Sequence, residues 1–356
     1  MMKHTLTKKR SLFFLCVAMA SQLTLTAFAQ DQKEPWLNPN ITRVNTEKPR
    51  ASFFAFESAD KAAKGDKAAS DRYLSLEGKW RFNFSLNHNE APADFFSPKF
   101  DDSQWIDFPV PGLFEMEGFG DKIYKNVGYS WNTQFDSNPP YVEERNNYTG
   151  SYRKQVAIPA AWKGQDIYLH VGSATSNLQV WVNGKEVGYS EDSKMEAEFN
   201  LTKYLIPGKE NLIALRVMRW CDGSYLEDQD FWRFTGIARE VYLYARPKAH
   251  IQDIFVHQDL VNGYRDGQLT VDITAPTAKG YTVEATLADP TGRAVDGGRT
   301  AVTLGAAKTT SGTVAGGSSA TLGAAKNTSG TVAGGSSATL GAAKTTSGTV
   351  AGGSSA

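Results

Sequence analysis

Apolar and polar residues alternate with a period of two along Trp80-Arg-Phe-Asn-Phe84. That spacing puts every second side chain on one face of a β-strand. Short apolar runs of the same kind recur at Tyr152–Ile158, Asp166–Val171, Leu178–Val182, Leu212–Val217 and Val241–Tyr244. Turn residues separate them at Lys163-Gly164, Asn183-Gly184 and Pro207-Gly208. Asn183-Gly184 stands between Leu178–Val182 and Glu186–Tyr189, and both residues accept a positive φ, so the pattern predicts a tight two-residue hairpin there. Helical periodicity never extends beyond a few turns, and Ala62–Ala69 predicts a loop or one helical turn. Many short strands without strand–helix–strand alternation predict an all-β protein, an antiparallel sandwich of jelly-roll type.

The pattern changes twice more along the chain. After Arg246-Pro247 come three further alternating runs, Ile251–Val256, Gly267–Ala275 and Tyr281–Ala288. They predict the opening of a second sandwich. An immunoglobulin-like domain needs about seven strands in roughly 100 residues, so residues 248–302 read as a partial one. From Thr303 alternation gives way to three near-identical copies, Thr303–Ala320, Thr321–Ala338 and Thr339–Ala356, differing only at Asn327 against Thr309 and Thr345. Each copy offers a Leu and a Val against four glycines, too little burial to offset an ordering cost of about 1–2 kcal/mol per residue. Residues 303–356 are therefore expected to be a disordered, low-complexity tail.

The amino terminus adds a leader. Lys3, His4, Lys8, Lys9 and Arg10 precede an apolar run over 11–20, and Ala27-Phe28-Ala29 has the small–x–small form of a cleavage site. Residues 1–29 predict a secretory signal peptide, too short and too polar after Ala20 for a membrane span. The expected location is periplasmic or extracellular, with no transmembrane segment. The 38 basic and 38 acidic residues balance over 356, but leader and tail carry bases and no acids, so the stretch between them is mildly acidic. That argues against a nucleic-acid partner. Cys16 leaves with the leader, which makes Cys221 the one mature cysteine and excludes an internal disulfide. Cys221 is expected to be a small buried side chain with no base to activate it.

The densest chemistry lies in Arg219-Trp-Cys-Asp-Gly-Ser-Tyr-Leu-Glu-Asp-Gln-Asp-Phe-Trp-Arg-Phe-Thr-Gly-Ile-Ala-Arg-Glu-Val241, where acids, arginines and tryptophans crowd together. Charged side chains beside aromatic faces suit sugars, whose hydroxyls bond and whose C–H faces stack. The same residues could equally form a hydrogen-bonded loop with its charges paired internally. The stretch closely resembles the signature of the large β-galactosidases of glycoside hydrolase family 2, in their N-terminal sugar-binding jelly roll. Pro111-Gly-Leu-Phe-Glu115, Tyr124–Tyr129, Pro139-Pro-Tyr-Val142, Tyr148-Thr-Gly-Ser-Tyr152 and Gly188-Tyr-Ser-Glu-Asp-Ser193 look like that family's motifs, in the family's order. The resemblance spans about residues 35–290, with the jelly roll and its N-terminal arm at 30–247.

The resemblance implies roles for two residues. Asn147 matches an Asn that hydrogen-bonds the galactosyl ring, with Asn146 as an alternative because the preceding turn is one residue longer here. Asp192 matches an Asp that meets galactose hydroxyls and ligates sodium. A turn role is the competing reading for both. Retaining glycosidases use two carboxylates about 5–5.5 Å apart. In this family they lie on a (β/α)₈ barrel beyond the second sandwich, as do the magnesium ligands, so no catalytic residue and no magnesium ligand is expected in these 356 residues. Glu227, Asp228 and Asp230 sit too close together on one loop to flank a substrate. The five histidines show no metal-ligand spacing. The implied activity is hydrolysis of terminal β-galactosides, with this chain as the sugar-gripping part. The alternatives are a non-catalytic carbohydrate-binding module and an inert fragment. The implied partners are a β-galactoside or galactose, and either a homo-oligomer or a complementing barrel-containing chain.

Overall fold

The structure, a computed structural model, describes residues 34–131, 135–227, 230–275, 277–278, 280–289, 291, 293–303, 309–314, 337–343 and 350–352. The expected leader, Asp228 and most of the expected tail lie outside the described residues.

Among the described residues, fifteen strands precede Pro247: β1 Arg43–Val44, β2 Tyr73–Ser75, β3 Gly78–Ser85, β4 Ile106–Val110, β5 Gly112–Leu113, β6 Ile123–Lys125, β7 Thr149–Ala157, β8 Asp166–Val171, β9 Leu178–Val182, β10 Lys185–Ser190, β11 Ala197–Asn200, β12 Glu210–Met218, β13 Phe231–Arg233, β14 Gly236–Ile237 and β15 Val241–Arg246. Seven of them form one sheet in the order β1-β10-β9-β12-β7-β3-β4, and four form another in the order β11-β8-β15-β2. Every pairing within both sheets is antiparallel. The predicted all-β sandwich is what forms. Its inner faces share one core that includes Leu76, Trp80, Phe82, Phe108, Tyr152, Leu169, Val180, Phe199, Leu215 and Leu243.

The predicted hairpin is present. Asn183 and Gly184 have φ of 51° and 83°, and Lys185 pairs with Val182 across the turn. Strand β9 is buried at all five positions because its outer face is covered too. Trp181 packs there with Phe95 and stacks on Phe96 at 5.3 Å and 6°. Arg153 of β7 ties that covering loop down: its Nε donates to Asp102 at 2.6 Å, and its Nη1 donates to the Phe95 and Ser97 carbonyls.

The arm before β2 is pinned rather than loose. Helix α1, Ala59–Lys64, is capped by the Ser58 hydroxyl, which accepts from the Lys61 N–H, and ends at Gly65 with φ 67°. Arg50 donates to both oxygens of Glu198 at 3.0 and 2.8 Å, and His170 stands 3.1 Å from the same carboxylate.

Strands β16 Asp253–Val261, β17 Asp266–Thr274, β18 Thr282–Ala288 and β19 Ala294–Thr303 follow. Their described core is small: Ile251, Ile254, Val271, Ile273, Ala275, Ala278 and Val283, joined by Ala55 of the arm. Pieces of the repeats extend these sheets. Thr309–Val314 pairs with β17, and Ser337–Ala343 pairs with β18.

Candidate functional site

Strands β7 and β12 run antiparallel with Thr149 opposite Met218. Continuing that register places Asn147 opposite Trp220, just beyond the ladder. There the Asn147 side chain replaces the backbone partner. Its Oδ1 accepts from the Trp220 N–H at 2.8 Å, and its Nδ2 donates to the Trp220 carbonyl at 3.1 Å. Between them the Arg219 N–H donates to the Tyr148 carbonyl at 2.9 Å. Asn147 is 1% exposed, so its amide holds Trp220 in place. The alternative, Asn146, is half-buried with φ 59°.

Asp192 lies in the turn after β10. Pairing of β1 with β10 puts Arg43 opposite Ser190 and so beside that turn. Arg43 Nη2 is 3.3 Å from Asp192 Oδ2, with the Asp192 side chain 46% exposed. A hard carboxylate oxygen suits sodium, but a guanidinium already stands on this one, and Asp192 is a single arm of what a full coordination shell needs. The structure therefore places Asn147 inside the protein and Asp192 at its surface.

Two residues onward, Lys194 holds a left-handed φ of 65°, its N–H donating to the Ala174 carbonyl at 2.8 Å. Its ammonium reaches Glu227 at 3.3 Å and lies 4.8 Å over the Phe231 ring. These residues border a shallow cleft open to solvent, whose other walls include Tyr129, Trp131, Arg219, Trp220 and Arg233. Aromatic rings form its base. Tyr129 stacks on Trp131 at 4.9 Å, and Trp131 meets Trp220 edge-on at 5.6 Å. The Arg219 guanidinium is buried between Tyr148 and Trp220, 4.7 and 4.9 Å from the two rings, and that burial pushes its pKa down.

The dense stretch from Arg219 to Val241 thus splits into short elements held by distant partners. Asp222–Leu226 forms a 3-10 turn, β13 pairs with β6, and β14 pairs with β5. Its described acids do not face one another: Glu227 meets Lys194, while Asp230 accepts from the Tyr124 hydroxyl. Buried Glu115 accepts from the N–H and hydroxyl of Thr235 at 2.8 and 3.0 Å; burial raises its pKa, and those bonds work against the rise. Trp131 is itself stacked between Tyr129 and Phe135, and Arg219 lies over Trp220, so these rings build the wall of the cleft by packing on one another.

Sequence reasoning did not single out Lys194, Arg219, Trp131 or Glu191 as site residues. Glu191 was visible inside Gly188-Tyr-Ser-Glu-Asp-Ser193, yet nothing local signals that it meets Asp222. Among the described residues, Glu191, Cys221 and Asp222 are the one set of three or more His, Cys and acidic groups close enough to share a metal ion. Burial, then the neighbouring Asp222, pushes the Glu191 carboxyl up to about 8. Cys221 is fully buried, as expected, and burial pushes its thiol far up.

Residues 73–247 match the family model described as glycosyl hydrolases family 2, sugar binding domain. The chain is 41% identical over 234 residues to a β-galactosidase of Priestia megaterium, an alignment that covers 66% of this chain and 22% of that protein. It is 38% identical over 241 residues to a β-galactosidase of Streptococcus thermophilus, covering 67% and 23%. The chain therefore spans less than a quarter of the length of these relatives. Among solved structures, a calcium-binding mutant of Bacteroides uniformis β-glucuronidase 2 superposes with a TM-score of 0.57 at 20% identity, over 79% of this chain and 32% of that one. An apo β-glucuronidase from Ruminococcus gnavus gives 0.52 at 18%, over 78% and 44%. At such identities these likenesses speak for the fold. At residues 73–247, the chain is a sugar-binding domain of glycosyl hydrolase family 2.

Proposed function

We propose that this chain is the galactoside-gripping part of a β-galactosidase that acts on terminal β-D-galactosides and is exported from the cytoplasm. The observation that carries this reading is the 41% identity to a β-galactosidase over 234 residues, beside the sugar-binding family model matched at residues 73–247. The acid/base and the nucleophile belong, in this reading, to the larger part of the relatives' length that these residues do not span. Asp192 is the direct sugar contact. Its carboxylate is half-exposed and can exchange Arg43 for hydroxyls and, as one ligand among several, for sodium. Asn147 acts through Trp220, whose backbone it clamps. A barrel-containing partner would supply that catalytic part, and a second copy of this chain is a further partner in assembly.

Calorimetric titration of the purified chain with galactose tests the grip. Saturable binding is expected, weakened about tenfold or more in Asp192→Ala, the order expected when a hydrogen bond to a charged group is lost. Absence of binding would overturn the reading. A chromogenic galactoside tests the division of labour: steady turnover by this chain alone would refute it.

A further inference from the structure

Glu191, Cys221 and Asp222 come together from two elements that the sugar-binding reading leaves without a joint role. Glu191 directly follows β10, and Cys221 and Asp222 open the turn after β12. One ligand atom from each, the Cys221 Sγ and a carboxylate oxygen of both acids, lie within 4.8 Å of one another, and all three residues are buried. The carboxylates are oriented from behind. The Tyr189 hydroxyl donates to Glu191 Oε2 at 2.8 Å, and the Gly223 N–H donates to Asp222 Oδ1 at 3.0 Å. Asp222 Oδ2 is the independent anomaly. Asp222 is 6% exposed, and no protein donor reaches that oxygen.

Two buried carboxylates in contact are costly unless a proton or a cation joins them. The competing arrangement is a proton shared by the two acids, with the Cys221 thiol held only by 4.0 Å contacts to the Ser176 carbonyl and the Ser224 hydroxyl. We propose that the three residues form a binding site for a thiophilic divalent cation of the zinc class, ligated by Cys221 Sγ and one oxygen each from Glu191 and Asp222. The thiol sets the class, since calcium and magnesium take oxygen ligands while thiolate with carboxylate suits zinc. Zinc–ligand bonds of about 2.0–2.3 Å set tetrahedral ligand atoms about 3.3–3.5 Å apart, so the three atoms must draw together by up to about 1.5 Å to close on the ion. Gly223 leaves room beside it: a Cβ there would stand 3.5 Å from Cys221 Sγ and 3.9 Å from Glu191 Cδ.

The test uses the full chain after chelator treatment. Zinc is titrated against a chromogenic chelator, with cadmium as a probe of thiolate ligation through its ultraviolet charge-transfer band. One equivalent of zinc should bind, the cadmium band should appear, and zinc should raise the Tm of the wild type. Cys221→Ser, which retains Cys16, should lose the band. Glu191→Gln and Asp222→Asn, checked for native circular dichroism, should each weaken binding about tenfold or more. The proposal fails if the wild type binds no stoichiometric zinc, or if Glu191→Gln and Asp222→Asn bind it as the wild type does. It also fails, in favour of a shared proton, if zinc leaves the wild-type Tm unchanged while Asp222→Asn raises it.

Discussion

Asn147 and Asp192 are the same kind of residue to a sequence reader, a small polar side chain in a turn, yet they occupy opposite environments. Removing the Asn147 amide strips partners from two buried backbone groups of Trp220, a loss of about 1–3 kcal/mol for each group left unsatisfied. Asn147→Ala should therefore lower the Tm measurably. Asp192→Ala breaks one exposed ion pair, worth about 0–1 kcal/mol, and should leave the Tm nearly unchanged while sugar affinity falls. If the two melting curves shifted alike, the distinction would be wrong. Glu198 supplies a pH effect. Burial by itself would raise its carboxyl, but His170 and Arg50 outweigh that and bring it down to about 2, below the ordinary 4.5 of a glutamate. A carboxyl depressed on folding stabilises the folded state above its unfolded pKa and loses that contribution as pH falls through the folded one. The urea midpoint should accordingly drop between about pH 4.5 and 2, and Glu198→Gln should flatten that drop. Equal slopes in both proteins would show that Glu198 is not responsible.

Among the elements, alternation predicted strands of four or more residues whose period shows in the sequence: β3, β7, β8, β9, β12 and β15, and after Pro247 β16, β17 and β18. β13 and β14 have three and two residues, and each owes its extended form to a partner over a hundred positions away in sequence, Tyr124 for Trp232 and Gly112 for Ile237. No local period could announce them. Packing at β7 is tight enough to test. A Cβ on Gly150 would fall 2.3 Å from Phe114 Cζ and 2.7 Å from Phe82 Cε2, two rings fixed in the main core. Gly150→Ala should cost about 1–3 kcal/mol or more, as overpacking does, seen as a lowered urea midpoint. A neutral substitution would mean that the Phe82–Phe114 layer can yield.

Over the whole molecule, the two sandwiches differ in what they bury. The first closes on large rings and branched chains, while the second gathers mostly Ile, Val and Ala and leaves Phe255, Val256 and Leu260 of β16 exposed. Buried apolar area sets the opening free energy of each part. Amide hydrogen exchange should thus be far slower in β9 and β12 than in β16 and β18. All eight tryptophans lie between Trp36 and Trp232, so tryptophan fluorescence follows the first sandwich and should change at a higher temperature than exchange in the second. Coincident transitions would show one cooperative unit instead.

Amino-acid order alone dictated the class of fold, the main strands and the Asn183-Gly184 hairpin, because alternation and turn chemistry act between neighbours. The motif residues around Asp192 and Arg219 were legible for the same reason, as was the buried state of Cys221. Which polar groups would be taken inside was decided only in three dimensions. Arg50 finds Glu198 across 148 positions, Asn147 finds Trp220 across 73, and Glu191 meets Asp222 only once β10 and β12 are laid into one sheet. Burial and charge pairing depend on distance in space, and folding sets that distance with little regard to separation along the chain.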